Sequence, residues 1–109
     1  MQDLIIEIQE LRKELNQTIE LEKKRGLELA KAEREYRVEL AKKILLEREK
    51  GTPVTIISDV CRGDERIADH KFKRDTAAVL YKSAGEKING IKLELRIVYN
   101  QVEAERRGE

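Results

Sequence analysis

The chain has 109 residues, of which 41% are charged, and its 23 basic and 22 acidic residues leave a net charge of +1. That balance excludes a strong bulk attraction to nucleic acid or to an anionic membrane, and the length allows one domain. The single cysteine, Cys61, excludes an intrachain disulfide and with it a secreted disulfide scaffold. Because the sequence has neither a signal-peptide pattern nor an apolar run near the ~18 residues of a membrane span, we expect a cytoplasmic protein without membrane association.

The first predicted element is one long helix over about residues 3–50, which contain no proline and a single glycine, Gly26. Its apolar residues start with the 4-3-4 spacing of a coiled-coil seam. These seam positions are Leu4, Ile8, Leu11 and Leu15. The seam fades across residues 22–26 and resumes in a new phase from Leu29. The pattern leaves open whether the helix continues through Gly26 or breaks there.

Residues 51–63 form a predicted tip between two long helices. Gly51 is a suitable helix stop, and Pro53 confirms the break two residues later. A short helix is expected next, with Thr55 or Ser58 as its N-terminal cap. The tip is therefore predicted to be a mixture of short helix and irregular chain.

The second long helix is predicted over about residues 64–106. Gly63 is expected to end the short helix in a left-handed turn, and Asp64 is a good N-terminal cap for the helix that follows. The apolar positions then alternate strictly between steps of four and three. They are Ala77, Tyr81, Ala84, Ile88, Ile91, Leu95, Val98 and Val102.

The predicted fold class is all-α, with two long helices folded back as an antiparallel coiled-coil hairpin. A turn near residue 57 would make facing residue numbers add up to roughly 114, to within several residues. Leu93, Ile97, Ile5 and Leu80 lie off the main seams and form a second, weaker apolar face. Since a lone two-helix hairpin encloses little core, we expect a homodimer with a four-helix arrangement.

The inventory of reactive side chains argues against an enzyme. His70 is the only histidine, which excludes a multi-histidine metal site within one chain, and the glycines are dispersed and form no phosphate-binding loop. Cys61 is better explained as a small buried apolar residue than as a nucleophile. The sequence therefore predicts no catalytic residues, no cofactor and no metal.

Basic residues cluster near the predicted tip and make the main alternative hypothesis. The predicted hairpin register places Lys42 and Lys43 at the level of Lys71. The candidate patch, for nucleic acid or an acidic partner, consists of Lys42, Lys43, Arg62, Arg66, Lys71, Lys73 and Arg74. The simpler interpretation is a solvated helix face, because acidic residues such as Glu39 and Asp75 alternate with these charges.

Several short segments resemble small proteins from the early regions of phages and prophages of Gram-positive bacteria, which are mostly described as proteins of unknown function. They are Ala30 to Tyr36, Val54 to Asp59, Arg62-Gly63-Asp64, Lys73-Arg74-Asp75, Tyr81, Ile88-Asn89, Lys92-Leu93 and Arg96-Ile97. The resemblance spans roughly residues 27–102. The tryptophan-containing tail of the related sequences is missing after Val102. The resemblance implies a context near recombination and replication genes and carries no catalytic residue over.

Together these patterns predict a non-enzymatic helical interaction protein that docks a helix face onto an unidentified phage or host protein, in phage DNA metabolism or in countering a host factor. The alternative is a nucleic-acid-binding accessory protein that uses the basic patch. A structural coiled-coil spacer with no partner but itself is the third hypothesis.

Overall fold

A computed structural model describes residues 1–108, and these residues form three helices and no strand. The helices are α1 (Gln2–Glu49), α2 (Val54–Gly63) and α3 (Glu65–Gly108). The predicted all-α fold with two long helices and a short helical tip is confirmed. α1 passes through Gly26 without interruption, which excludes the predicted alternative of a break there. None of the described helices contains a segment long and apolar enough to cross a membrane.

The described residues divide into two compact units. The terminal unit consists of residues 1–24 and 81–108, and the tip unit consists of Arg25–Leu80. The α1 boundary falls where the sequence shows its seam changing phase, and the α3 boundary falls four residues after the strict seam begins at Ala77. α1 and α3 therefore contribute one segment to each unit.

The terminal unit is built on an aliphatic seam between antiparallel segments of α1 and α3. The amino terminus of Met1 lies 3.2 Å from a carboxylate oxygen of Glu105, and the Lys87 ammonium lies 3.6 Å from Glu14. The buried cluster and the half-buried residues packed against it are Ile8, Ile91, Leu95, Val98, Leu4, Leu11, Leu15 and Val102. Heptad spacing on both segments thus brings the apolar residues face to face.

Three further positions define how far this seam extends towards residue 81. Ala84 and Ile88 are buried, and so is Thr18, whose hydroxyl donates a 2.8 Å hydrogen bond to the carbonyl of Glu14. Tyr81, which the spacing placed in the seam, is 41% exposed. Ala77 is half-buried and belongs to the tip unit.

In the tip unit all three helices contribute to a small core. The Arg66 guanidinium of α3 lies 3.1 Å from Glu39 of α1, and Arg74 lies 3.6 Å from Glu33, so α1 and α3 are again antiparallel. The sequence-based register would have placed Glu39 opposite residue 75, so that register is wrong. The difference arises because α2 occupies the space beside the last turns of α1, and α3 therefore begins farther back along α1.

Candidate functional site

The end of α1 is fixed by a Schellman motif at Gly51. Gly51 has φ +81°, the left-handed conformation that glycine adopts without steric cost. The Thr52 N–H donates to the Glu47 carbonyl and the Gly51 N–H donates to the Arg48 carbonyl, each at 3.1 Å. These two bonds satisfy carbonyl groups that the helix end would otherwise leave open. The chain leaves α1 in a defined direction, which positions α2.

Glu47 ties this turn to the helix through its side chain. Its carboxylate is buried, accepts a 2.7 Å hydrogen bond from the Thr52 hydroxyl, and lies 3.0 Å from Lys43 and 3.6 Å from Lys50. The hydrogen bonds from Thr52 and then Lys43 lower the pKa of Glu47 from 4.5 to about 2. Sequence reasoning missed this residue. The available signal was a Glu four residues after a Lys and four before the Gly51 stop.

α2 begins directly after Pro53, without a side-chain cap. The prediction that Thr55 or Ser58 caps this helix is therefore wrong, because the helix already begins at Val54, before either residue. Gly63 is the last residue of α2 and does not have positive φ, so the predicted left-handed turn there is also wrong. Asp64 has extended backbone and its carbonyl accepts the Ala68 N–H at 2.9 Å, directly before α3.

An open groove of about 760 Å³ lies between the three helices of this unit, and we call it the tip groove. Its floor is made by Ile57 and Cys61 of α2 and Ile67 of α3, which are 6%, 2% and 4% exposed. Val54 and Phe72 line it as well, yet they are 77% and 72% exposed. A groove with an apolar floor and large exposed apolar side chains at its edge is the usual form of a helix-docking surface.

The charged residues that line the tip groove are mostly basic. They are Arg48 of α1, Arg62 of α2, and Lys71 and Asp75 of α3. Arg62 has a carboxylate of Asp59 at 4.0 Å, and both side chains are largely exposed. Within residues 1–108, Arg48 and Lys71 make no ion pair. The groove therefore combines an apolar floor with an excess of positive charge at its edge.

Most of the predicted basic patch is paired with carboxylates of the same unit. Lys42 and Arg66 both contact Glu39, at 3.7 and 3.1 Å, and the hydrogen bond from Arg66 lowers the pKa of Glu39. Lys43 contacts Glu47, and Arg62 contacts Asp59. In the part of the chain that the structure describes, Lys71 and Lys73 have no such partner.

Arg74 is also held inside the unit. Its guanidinium lies 4.6 Å from the centre of the Tyr36 ring and donates hydrogen bonds of 2.9 and 3.1 Å to Asp75. Glu33 lies 3.6 Å away. These contacts are a cation–π interaction and charge-assisted hydrogen bonds, which together fix the side chain against α1. Arg74 is therefore a structural contact between α1 and α3.

The structure gathers the predicted patch differently from the sequence-based register. Lys42 and Arg66 meet at Glu39, and Lys71 and Arg62 both border the tip groove. Lys71 lines the groove together with Tyr36, not with Lys42 or Lys43. The prediction that Lys42 and Lys43 lie at the level of Lys71 is wrong, because α3 begins farther back along α1, with Arg66 beside Glu39.

The two residues considered for metal or thiol chemistry occupy separate structural positions. Cys61 is a buried part of the groove floor, and His70 is half-buried on α3, on the side that faces Glu39. Among the described residues no group of three histidine, cysteine, aspartate or glutamate side chains is arranged to hold a metal ion. What the unit offers chemically is a shaped apolar surface with charges at its edge.

Comparison with protein-family models, curated proteins and solved structures gave no match.

Proposed function

We propose that the protein is a non-enzymatic interaction protein that binds a helix of another protein in the tip groove. The observation that carries the proposal is the exposure of Val54 and Phe72 beside a buried apolar floor. A monomeric surface normally keeps large apolar side chains apart, and concentrates them where a partner binds.

The edge of the groove favours an amphipathic helix with acidic residues beside its apolar stripe. Arg48 and Lys71 have no carboxylate partner among the described residues, and Asp75 is the one acidic residue that lines the groove. Apolar contacts on the floor would supply affinity, and acidic side chains near Arg48 and Lys71 would set orientation and partner choice. The resemblance to phage early-region proteins supports a phage or host partner in the host cytoplasm.

A designed peptide tests the groove directly. The probe is an 18-residue helical peptide with one leucine stripe flanked by glutamates, and its control has the same stripe flanked by lysines. We expect the acidic peptide to bind more tightly, with its NMR chemical-shift changes concentrated around Tyr36, Cys61 and Phe72. Phe72→Glu should weaken binding at least tenfold.

The control variant for this experiment is Leu27→Glu. Leu27 is 73% exposed, lies on α1 of the same unit and does not line the groove, so its replacement should leave peptide binding unchanged. Equal effects of Phe72→Glu and Leu27→Glu, or shift changes away from the groove, would contradict the proposal.

Nucleic-acid binding is the weaker alternative. Lys71 and Lys73 remain available for phosphates, but five of the seven patch residues already contact carboxylates. A salt titration with duplex DNA separates the two functions. Phosphate contacts make affinity fall steeply with salt, by about one unit of logarithmic slope per contact, whereas an apolar groove does not. Strong, salt-sensitive binding that Lys71→Glu and Lys73→Glu abolish would favour nucleic acid.

We also propose that the protein is a homodimer. The terminal unit leaves apolar side chains of α3 exposed, including Leu93 at 55% and Ile97 at 43%. A second copy that covers them would add the buried apolar area that a two-helix seam lacks. Sedimentation equilibrium at micromolar concentration measures this state, and a monomer with a high unfolding midpoint would refute it.

A further inference from the structure

A second heptad stripe runs along α3 on the side opposite the α1 seam. It follows steps of three, four, three and four residues, and all its members are exposed. They are Gly90, Leu93, Ile97, Asn100 and Ala104. At 100° per residue this stripe lies on the helix face opposite Ile91, Leu95 and Val98, which are buried against α1. α3 in the terminal unit is therefore apolar on two faces, and the unit itself covers only one.

The order of residue sizes along this stripe suits close contact between two helices. Large side chains, Leu93 and Ile97, stand at the centre, and the small residues Gly90 and Ala104 stand at its two ends. A Cβ atom at Gly90 would have no neighbour within 4 Å outside its own helix backbone. In an antiparallel pair of identical stripes, Leu93 of one copy meets Ala104 of the other, and Ile97 meets Asn100. Over residues 93–104 large residues then face small or polar ones.

The flanking charges select the antiparallel direction. Arg96 and Glu103 lie on one side of the stripe, and Glu94 and Gln101 lie on the other. In antiparallel coiled coils each flank faces the same flank of the partner. Arg96 of each copy would therefore face Glu103 of the other, twice in the symmetric pair. A parallel pair would instead set Arg96 beside Gln101 and lose both ion pairs.

Within a single chain, Arg96 and Glu103 are not held by strong ion pairs. Arg96 makes no ion pair within the part of the chain that the structure describes, and Glu103 contacts only Arg106, at 3.5 Å on an exposed surface. An exposed intrahelical pair of this kind contributes little and is readily exchanged. We propose that the protein forms a two-fold symmetric homodimer through antiparallel pairing of the α3 stripes. This inference specifies the homodimer part of the proposed function and does not depend on the tip groove.

The size of the stripe sets the expected strength. In this register residues 93–104 of the two copies face each other, which is about 16 Å of helix at 1.5 Å per residue. A contact of that length lies at the lower end of specific interface sizes, for which about 800 Å² per partner is standard. We therefore expect a dimer with a dissociation constant in the micromolar range.

Sedimentation equilibrium of the full chain tests the surface. Leu93→Arg should yield a monomer at concentrations where the wild-type protein is dimeric, with unchanged helicity. The matched control is Ile6→Arg, because Ile6 is 44% exposed in the same unit but lies on α1, away from the stripe. Two results would overturn the proposal. One is a wild-type protein that stays monomeric at about 100 micromolar, a concentration at which a weak interface should form. The other is a dimer that survives Leu93→Arg.

Charge reversal tests the direction of pairing. Arg96→Glu or Glu103→Arg alone should weaken the dimer about tenfold, because each places like charges opposite one another twice. The double variant Arg96→Glu/Glu103→Arg should restore the wild-type constant. Failure of that restoration would overturn the antiparallel arrangement.

Disulfide trapping provides an independent geometric test. In a chain with Cys61→Ala, the pair Leu93→Cys and Ala104→Cys should cross-link two copies on mild oxidation. The two positions lie about 16 Å apart along one helix and cannot join within a chain. Leu93→Cys alone should not cross-link. Phe72→Glu in the tip groove should leave both the dimer and its cross-link intact, so failure of either proposal is seen separately.

Discussion

The terminal unit and the tip unit use segments of the same two helices in different ways. The terminal unit buries an aliphatic seam around Ile91, Leu95 and Val98. The tip unit buries only a few apolar residues, together with the carboxylate of Glu47, and leaves Phe72 exposed beside a groove. The difference indicates that the seam supplies most of the apolar burial, whereas the tip unit leaves a large apolar side chain uncovered beside a groove.

The largest expected effect is the loss of the seam. Leu95 is 8% exposed, so Leu95→Asp would place an unpaired charge among aliphatic side chains. We expect the free energy of unfolding to fall by more than about 4 kcal/mol, enough to unfold the chain or break its assembly. Circular dichroism during urea unfolding measures it.

The neighbouring Glu94 gives the control for this change. Glu94 is exposed, and Glu94→Gln should shift the unfolding midpoint little. Equal effects of the two substitutions would mean that the seam assignment is wrong.

The next effect is a pH dependence that originates in the tip unit. The pKa of Glu47 is about 2 in the folded chain and 4.5 without its partners. Because the folded-state pKa is lowered, the carboxylate stabilises the fold fully above pH 4.5, and this contribution is lost as pH falls towards 2. The wild-type melting temperature should therefore exceed that of Glu47→Gln at pH 6, and the two should converge near pH 2.

Thr52→Val separates the hydrogen bond from the ion pairs in this measurement. The Thr52 hydroxyl makes the largest contribution to the lowered pKa of Glu47. Its removal should reproduce part of the Glu47→Gln effect at pH 6 and reduce the pH dependence. A melting-temperature difference between the wild type and Glu47→Gln that is constant from pH 6 to pH 2 would contradict the role given to Glu47.

A smaller effect is expected at the glycines that border α2. Gly51 has φ +81°, so Gly51→Ala forces a side chain into the left-handed region and should cost about 1 kcal/mol. Gly63 lies in α2 without positive φ and with open space around it, so Gly63→Ala should be neutral or stabilise by up to about 1 kcal/mol. Thermal unfolding of both variants measures the two changes in stability. A larger loss from Gly63→Ala than from Gly51→Ala would contradict the assignment of the left-handed backbone to Gly51 and not to Gly63.

The sequence predicted most of the fold because heptad spacing is a local property. The spacing of Leu4, Ile8, Leu11 and Leu15 determines which side of α1 faces α3, whatever the turn does. The stop at Gly51 was equally readable, since glycine before proline is a strong boundary signal. Helix continuity at Gly26 could not be predicted, because a single glycine weakens a long helix but is tolerated inside it.

The tip site was harder to predict because it depends on distances between helices. The predicted register placed Lys42 and Lys43 beside Lys71, whereas the structure separates them, since the sequence did not show that α2 lies beside the end of α1. The burial of Glu47 and the exposure of Phe72 are both contrary to what residue type alone favours. Each follows from three-helix packing, which one-dimensional periodicity does not contain.

The smallest effect on stability is expected at the most informative residue. Phe72 is 72% exposed, so Phe72→Ser removes little buried apolar area, and the free energy of unfolding should change by no more than about 0.5 kcal/mol. Ile67, on the same helix and in the floor of the same groove, is 4% exposed, and Ile67→Ala should cost about 2 kcal/mol or more. Urea unfolding of the two variants therefore distinguishes a side chain that stabilises the tip unit from one that contributes little to its stability.

If Phe72→Ser destabilised the chain as much as Ile67→Ala, Phe72 would be part of the core in solution, and its side chain would close the tip groove. If only Ile67→Ala lowers the stability of the chain, the Phe72 side chain is available for binding. Phe72→Ser should then weaken peptide binding without changing the free energy of unfolding.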